Sequence, residues 1–167
     1  MTAESVKPFA IKRTFDAPRE LVWAVWTDAK HLINWFSPTG MKMGTCNMDL
    51  RVGGTFHYSL VSADGNEMWG KWTFLEIIPP EKISLITHFS DAAGGVTIHP
   101  LAPTWPLKMI STTTLIERDG KTELMIEWAP LDGTEEEIAT FEAGRGGMTQ
   151  GWSGTFEQLD AYLMTIK

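Results

Sequence analysis

The run FDAPRELVWAVWTDAKHLINWF, residues 15–36, decides the fold of this chain. It compresses a strand end and two short helices into 22 residues that carry three tryptophans. Asp16 offers a side-chain acceptor at the helix mouth, and Pro18 suits a first-turn position where no backbone donor is missed. Leu21, Val22, Val25 and Trp26 recur at helical spacing, Thr27 or Asp28 closes that segment, and Lys30 to Phe36 forms a second one. Two short helices after a single N-terminal strand, followed by a long series of strands, is an uncommon order of elements.

Outward from that run, residues 9–15 read as the first strand and residues 41–51 resume extended structure. After Gly53-Gly54, which reads as a turn or bulge, Phe56, Tyr58 and Leu60 alternate with His57 and Ser59, the period of a half-buried strand. Ala63 to Asn66 is a turn, Glu67 to Ile78 a strand stopped by Pro79-Pro80, and Lys82 to Ser90 another. Residues 91–106 read as a long loop. Leu107 to Glu117 and Thr122 to Trp128 form a hairpin through Asp119-Gly120. Thr134 and Glu137 fit a capping box. Met148, Trp152, Phe156, Leu159 and Leu163 then mark a long amphipathic helix over 147–165. Gly144, Gly146, Gly147, Gly151 and Gly154 crowd its first half, at a cost of about 1 kcal/mol for each one inside a helix. Either the helix starts near Gly147, or it approaches another element or a ligand closely. The order of elements predicts one α+β domain over 1–167, a curved antiparallel sheet of about six to seven strands around the C-terminal helix.

Composition narrows the function. With 43% hydrophobic and 21% charged residues the chain is ordinary globular protein, large enough to bury roughly 70% of its unfolded surface. A net charge of −7 with 14 basic residues disfavours nucleic acid and anionic membranes. No apolar stretch is long enough for membrane insertion, and Cys46 is the single cysteine, so the expected setting is the cytoplasm. Eight Trp, eight Phe, two Tyr and nine Met are a less ordinary inventory, rich in large side chains and in methionine, which adapts to irregular shapes. The same residue types fill a core or line a cavity.

The segments FDAPRELVWAVWTDAKHLINWFSP, DLRVGGTFHY, FLEIIPPEKI and MTQGWSGTFEQLDAYL closely resemble the family of activators of heat-shock-protein-90 ATPase. That family lies in the START-like (SRPBCC) superfamily, whose helix-grip fold is the one of the birch pollen allergen. The resemblance implies a deep, mostly apolar cavity between sheet and C-terminal helix. It also implies a choice of functions: lipid or hormone binding, cyclase or aromatase chemistry, or regulation of a chaperone ATPase. The family motifs are fold determinants, so no catalytic residue follows from them.

The ligand-binding residues expected from face and position are Phe56, Tyr58, Trp72, His88, Trp105, Trp128, Met148, Trp152 and Phe156, with Trp105 and Trp35 at the rim. His88, Tyr58, Glu67 and His57 are the titratable groups that could serve an enzyme, although His57 and Tyr58 must point to opposite faces. His31, His57, His88 and His99 lack metal-ligand spacing, and no metal or cofactor is expected. Gly144-Arg145-Gly146-Gly147 lacks the pattern of a phosphate loop, and neither a GxSxG motif nor a motif around Cys46 marks a hydrolase. The leading expectation is a binding protein for a small hydrophobic or amphipathic molecule. An enzyme using the same cavity and a chaperone-regulating module are the alternatives, and a homodimer stays open.

Overall fold

The structure is a computed structural model that describes residues 6–37, 40–100 and 102–166. Its elements are β1 (Phe9–Phe15), α1 (Arg19–Thr27), α2 (Ala29–Trp35), β2 (Met41–Met48), β3 (Thr55–Ser62), β4 (Glu67–Ile78), β5 (Lys82–Ser90), β6 (Val96–Thr97), β7 (Met109–Arg118), β8 (Lys121–Pro130), α3 (Glu135–Ala143) and α4 (Arg145–Ile166). Seven strands form one antiparallel sheet in the order β1-β8-β7-β5-β4-β3-β2, and the two-residue β6 pairs with the end of β5. This is the helix-grip arrangement, with α4 against the sheet and α1–α2 inserted after the first strand. No helix among the described residues is long and apolar enough to cross a membrane.

Local chemistry explains the boundaries, with corrections at both ends of the chain and in the loop 91–106. Pro18 is the N-cap of α1 and not its first helical residue, and as cap it makes no side-chain hydrogen bond. The first helical N–H, on Arg19, instead donates to Glu117 Oε1 at 2.9 Å, so a carboxylate from the far end of β7 satisfies a helix mouth that proline cannot. Asp28 both closes α1 and caps α2, accepting from the Lys30 N–H at 2.9 Å. Thr134 and Glu137 form a reciprocal capping box on α3. The C-terminal part holds two helices where one long helix is expected, separated at Gly144, and the second starts at Arg145 with four glycines inside it. The expected loop 91–106 contains β6 and a bridge between His99 and Ala102; its Leu101, like Pro38 of the family-like run, lies outside the described residues.

Alternation along the strands sends one set of side chains to the concave face. Phe56, Tyr58 and Leu60 of β3, Trp72 and Phe74 of β4, Ile83 and Leu85 of β5, and Leu124, Ile126 and Trp128 of β8 lie there, against α1, α2 and α4. At the β1–β8 end the helix is packed tight. Phe156 meets Phe15 edge to face at 5.6 Å, Leu159 and Leu163 are buried, and Arg13 pairs with Asp160 at 2.5 Å beside them. Trp35 is fully buried and donates its indole N–H to the Val25 carbonyl at 2.9 Å, which places it in the core and not at a rim.

Candidate functional site

Where α4 turns glycine-rich, the grip does not close. A half-open cavity of about 540 Å³ remains between the sheet and the first half of α4. Its floor is the inner face of β3, β4, β5, β7 and β8, through Tyr58, Trp72, Leu85, Ser111 and Trp128 among others. One flank is Trp26, Phe36 and Ser37, from α1 and the end of α2; the segment 99–106 supplies His99, Ala102, Trp105 and Pro106 as a cover. That cover is tied to α3, by a Thr104–Thr140 hydroxyl contact of 2.8 Å and by the Leu107 N–H donating to Glu137 Oε2 at 3.2 Å.

The glycines have distinct jobs. A Cβ on Gly144 would come within 2.8 Å of the Trp105 ring, so glycine there permits the close approach of the cover to the helix junction. Gly147 and Gly151 line the cavity, and a Cβ on either would meet nothing within 4 Å. They leave bare helix where larger side chains would fill the interior. Of the two readings of the cluster, close approach holds at Gly144 against Trp105, whereas Gly147 and Gly151 face open space.

The walls are aromatic and mutually braced. Trp152 stands 5.4 Å from Trp128 and 6.1 Å from Trp26, ring to ring, and Phe36 stands 5.2 Å from Trp72. Tyr58 lies across Gly70, its cross-strand partner, where any Cβ would collide with the phenol at 2.5 Å. Burial pushes the Tyr58 phenol up to about 12, against a smaller opposing pull from a hydrogen bond donated by the Trp72 indole. Polar groups are few: Ser37, Thr87, Ser111, Thr113, Thr155 and the two histidines below. Among the described residues that line the cavity, none is Asp, Glu, Lys or Arg.

Seven of the nine residues expected at the site stand in the cavity wall: Tyr58, Trp72, His88, Trp105, Trp128, Met148 and Trp152. Phe56 and Phe156 are instead buried beneath it, Phe56 under Tyr58 and Trp72 at ring distances of 4.9 and 4.8 Å, and Phe156 against Phe15. His88 reaches only the margin. Its register partner is Lys71, an outer-face residue, and its Nδ1 lies 2.9 Å from the Phe89 carbonyl oxygen. Burial holds the imidazole below its ordinary pKa, against an opposing pull from the Phe89 carbonyl contact and with help from Lys108, Lys71 and His57, so it is neutral at pH 7. His57 stacks on Trp69 outside the sheet at 5.0 Å, and Glu67 is exposed at the start of β4, so neither reaches the interior. No group of three His, Cys, Asp or Glu side chains suited to a metal ion occurs among the described residues.

Sequence reasoning missed Trp26, Phe36, Thr87, His99, Ser111 and Thr113, all of which line the cavity. For Ser111 and Thr113 a signal existed. They alternate with Thr112 and Thr114 between Met109 and Leu115, so strand period alone puts them on the inner face. His99 had none, because it sits in irregular chain. It packs at 4.4 Å on Phe89, and burial lowers its pKa as well.

A half-open apolar cavity gripped between a curved antiparallel sheet and a long C-terminal helix defines a START-like domain. Within that class, the family model of the Activator of Hsp90 ATPase homolog 1-like proteins matches residues 16–164, and the chain belongs to this family. A protein from Arthrobacter aurescens solved by NMR is similar at 27% identity and a TM-score of 0.78, covering 98% of this chain and 88% of its own. The crystal structure of Ms6760 from Mycobacterium smegmatis is similar at 23% identity and a TM-score of 0.75, with coverage of 92% and 88%. The crystal structure of the AHSA1 protein SPO3351 from Silicibacter pomeroyi shares 17% identity at a TM-score of 0.69, with coverage of 96% and 100%. The last two likenesses are of fold. No curated protein matches the chain in sequence.

Proposed function

We propose that this protein binds a small, uncharged hydrophobic or amphipathic molecule between the sheet and the first half of α4. One observation carries the reading: a cavity of about 540 Å³ walled by Trp, Phe, Tyr and Met, with no ionised side chain among its described lining residues. That volume falls within the range of about 300–1,000 Å³ usual for small-molecule sites. Apolar burial at roughly 25 cal/mol per Å² supplies affinity, whereas a charged group carried inside would lack a partner. Catalysis in the same space would need a proton-transfer group within reach of substrate. Among the described lining residues the cavity offers a phenol that stays protonated and two neutral histidines at its margin, and no carboxylate. Binding is therefore the reading favoured over cyclase, aromatase or hydrolase chemistry, and over a chaperone-directed module that would need no cavity. The single cysteine and acidic balance fit a cytoplasmic setting.

The test is a thermal-shift panel of sterols, fatty acids, flavonoids and aromatic polyketides, with tryptophan fluorescence followed in parallel. A ligand at a hundred times its Kd stabilises by about 2.7 kcal/mol, a rise of roughly 5–10 °C for a chain of this size. The expected result is a saturable rise that is lost when Trp128 or Trp152 is replaced by a smaller apolar residue. No shift for any class, together with a solved structure in which side chains fill the interior, would refute the reading.

A further inference from the structure

We propose that Ser111 is the polar anchor of this cavity and that, held by Trp128, it selects ligands bearing a neutral hydrogen-bond acceptor such as a ketone or quinone carbonyl. The inference rests on the binding reading above and names the ligand chemistry it requires. Ser111 lies on the inner face of β7, buried, and lines the cavity beside Trp128 of β8, its register partner. The Trp128 indole N–H donates to Ser111 Oγ at 3.0 Å. An indole can only donate, so this contact occupies a lone pair of the hydroxyl and leaves its proton free. Among the described residues no acceptor takes that proton.

Leu85 of β5 and Trp128 of β8, the register partners of Ser111, present no side-chain acceptor, and a buried hydroxyl donor without an acceptor is costly. The hydroxyl of Thr155, across the cavity on α4, has the opposite polarity. It donates to the Gly151 carbonyl at 3.1 Å and is left only to accept. Trp128 therefore sets the sense of the anchor, and the aromatic walls set the preference for a planar body around the carbonyl. A carboxylate would satisfy the same donor, but it would bring a charge into a wall with no Lys or Arg among its described residues.

Matched ligands test this without first altering the protein. The wild-type chain is titrated with 9-fluorenone and with fluorene, which differ by the carbonyl alone, using thermal shift and calorimetry. The ketone is expected to bind roughly three- to tenfold more tightly, the range of one neutral hydrogen bond. Ser111→Ala should erase that preference and leave fluorene within about twofold of wild type; Ser111→Thr, which keeps the hydroxyl, should retain it. Equal affinities in the wild type would overturn the anchor and leave the cavity reading intact. So would a preference that survives Ser111→Ala and disappears in Tyr58→Phe, because it would assign the donor to the Tyr58 hydroxyl. If neither compound saturates the protein, the binding reading fails and the anchor falls with it.

Discussion

The two halves of α4 lie on the same sheet and do opposite things. The second half carries Phe156, Leu159 and Leu163, all buried, and closes on Phe15 and the β1–β8 strands. The first half carries Met148 and Trp152 among glycines, and there the helix stands off from the floor. Fold and cavity are thus written in one helix: where its inward residues are large the sheet is gripped, and where they shrink to Gly147 and Gly151 an open cavity is left. Tight packing is concentrated at one end and open space at the other.

Truncation should separate them most strongly. Phe156→Ala empties a packed site and is expected to cost about 3–5 kcal/mol, read from the denaturant midpoint. Trp105→Ala, which enlarges a space already open, should cost less than half as much while weakening ligand binding. Equal losses at the two positions would mean that the ends are packed alike.

The floor of the open end should reveal itself at alkaline pH. Because the Tyr58 phenol is raised from 10 to about 12 in the folded chain, the folded state holds a proton that the unfolded state releases. Its contribution is fully present below pH 10 and is lost as pH rises from 10 toward 12, on the order of 2 kcal/mol. Over that window the wild type should lose stability faster than Tyr58→Phe, which has no proton to release. Parallel slopes would place the phenol in water.

Smaller effects belong to the helix itself. Gly147→Ala and Gly151→Ala should each stabilise the chain by about 0.5–1 kcal/mol, since the added methyl meets nothing within 4 Å and helix propensity improves. Gly144→Ala should go the other way, because its Cβ meets the Trp105 ring.

The sequence was most legible where period and capping speak for themselves. The strand Phe9–Phe15, the paired short helices, the hairpin at Asp119-Gly120 and the Thr134 capping box could all be read from residue types at short range. The Glu117 cap on α1 could not, being 98 residues away, nor could the approach of Trp105 that glycine permits at position 144. At the site, the inner faces of β3, β4 and β8 followed from alternation. That Phe56 and Phe156 lie under the cavity, and Tyr58 and Trp152 in its wall, depends on depth along the strand and helix, which alternation does not encode. The marginal place of His88 has a related cause: its register partner is Lys71 of the outer face, and it joins the cavity lining only beside Thr87.

The most direct test of the account joins the two ends in one variant. Gly151→Leu fills the open end from the helix side without touching the packed end. A neutral planar fluorophore, 1-aminoanthracene, is titrated into wild type and variant while thermal stability is recorded for both. The account predicts saturable binding to the wild type, at least tenfold weaker binding to Gly151→Leu, and a melting temperature for the variant that is unchanged or higher. Undiminished binding by a stable Gly151→Leu protein would place the ligand elsewhere and contradict the assignment of the cavity to the glycine face of α4.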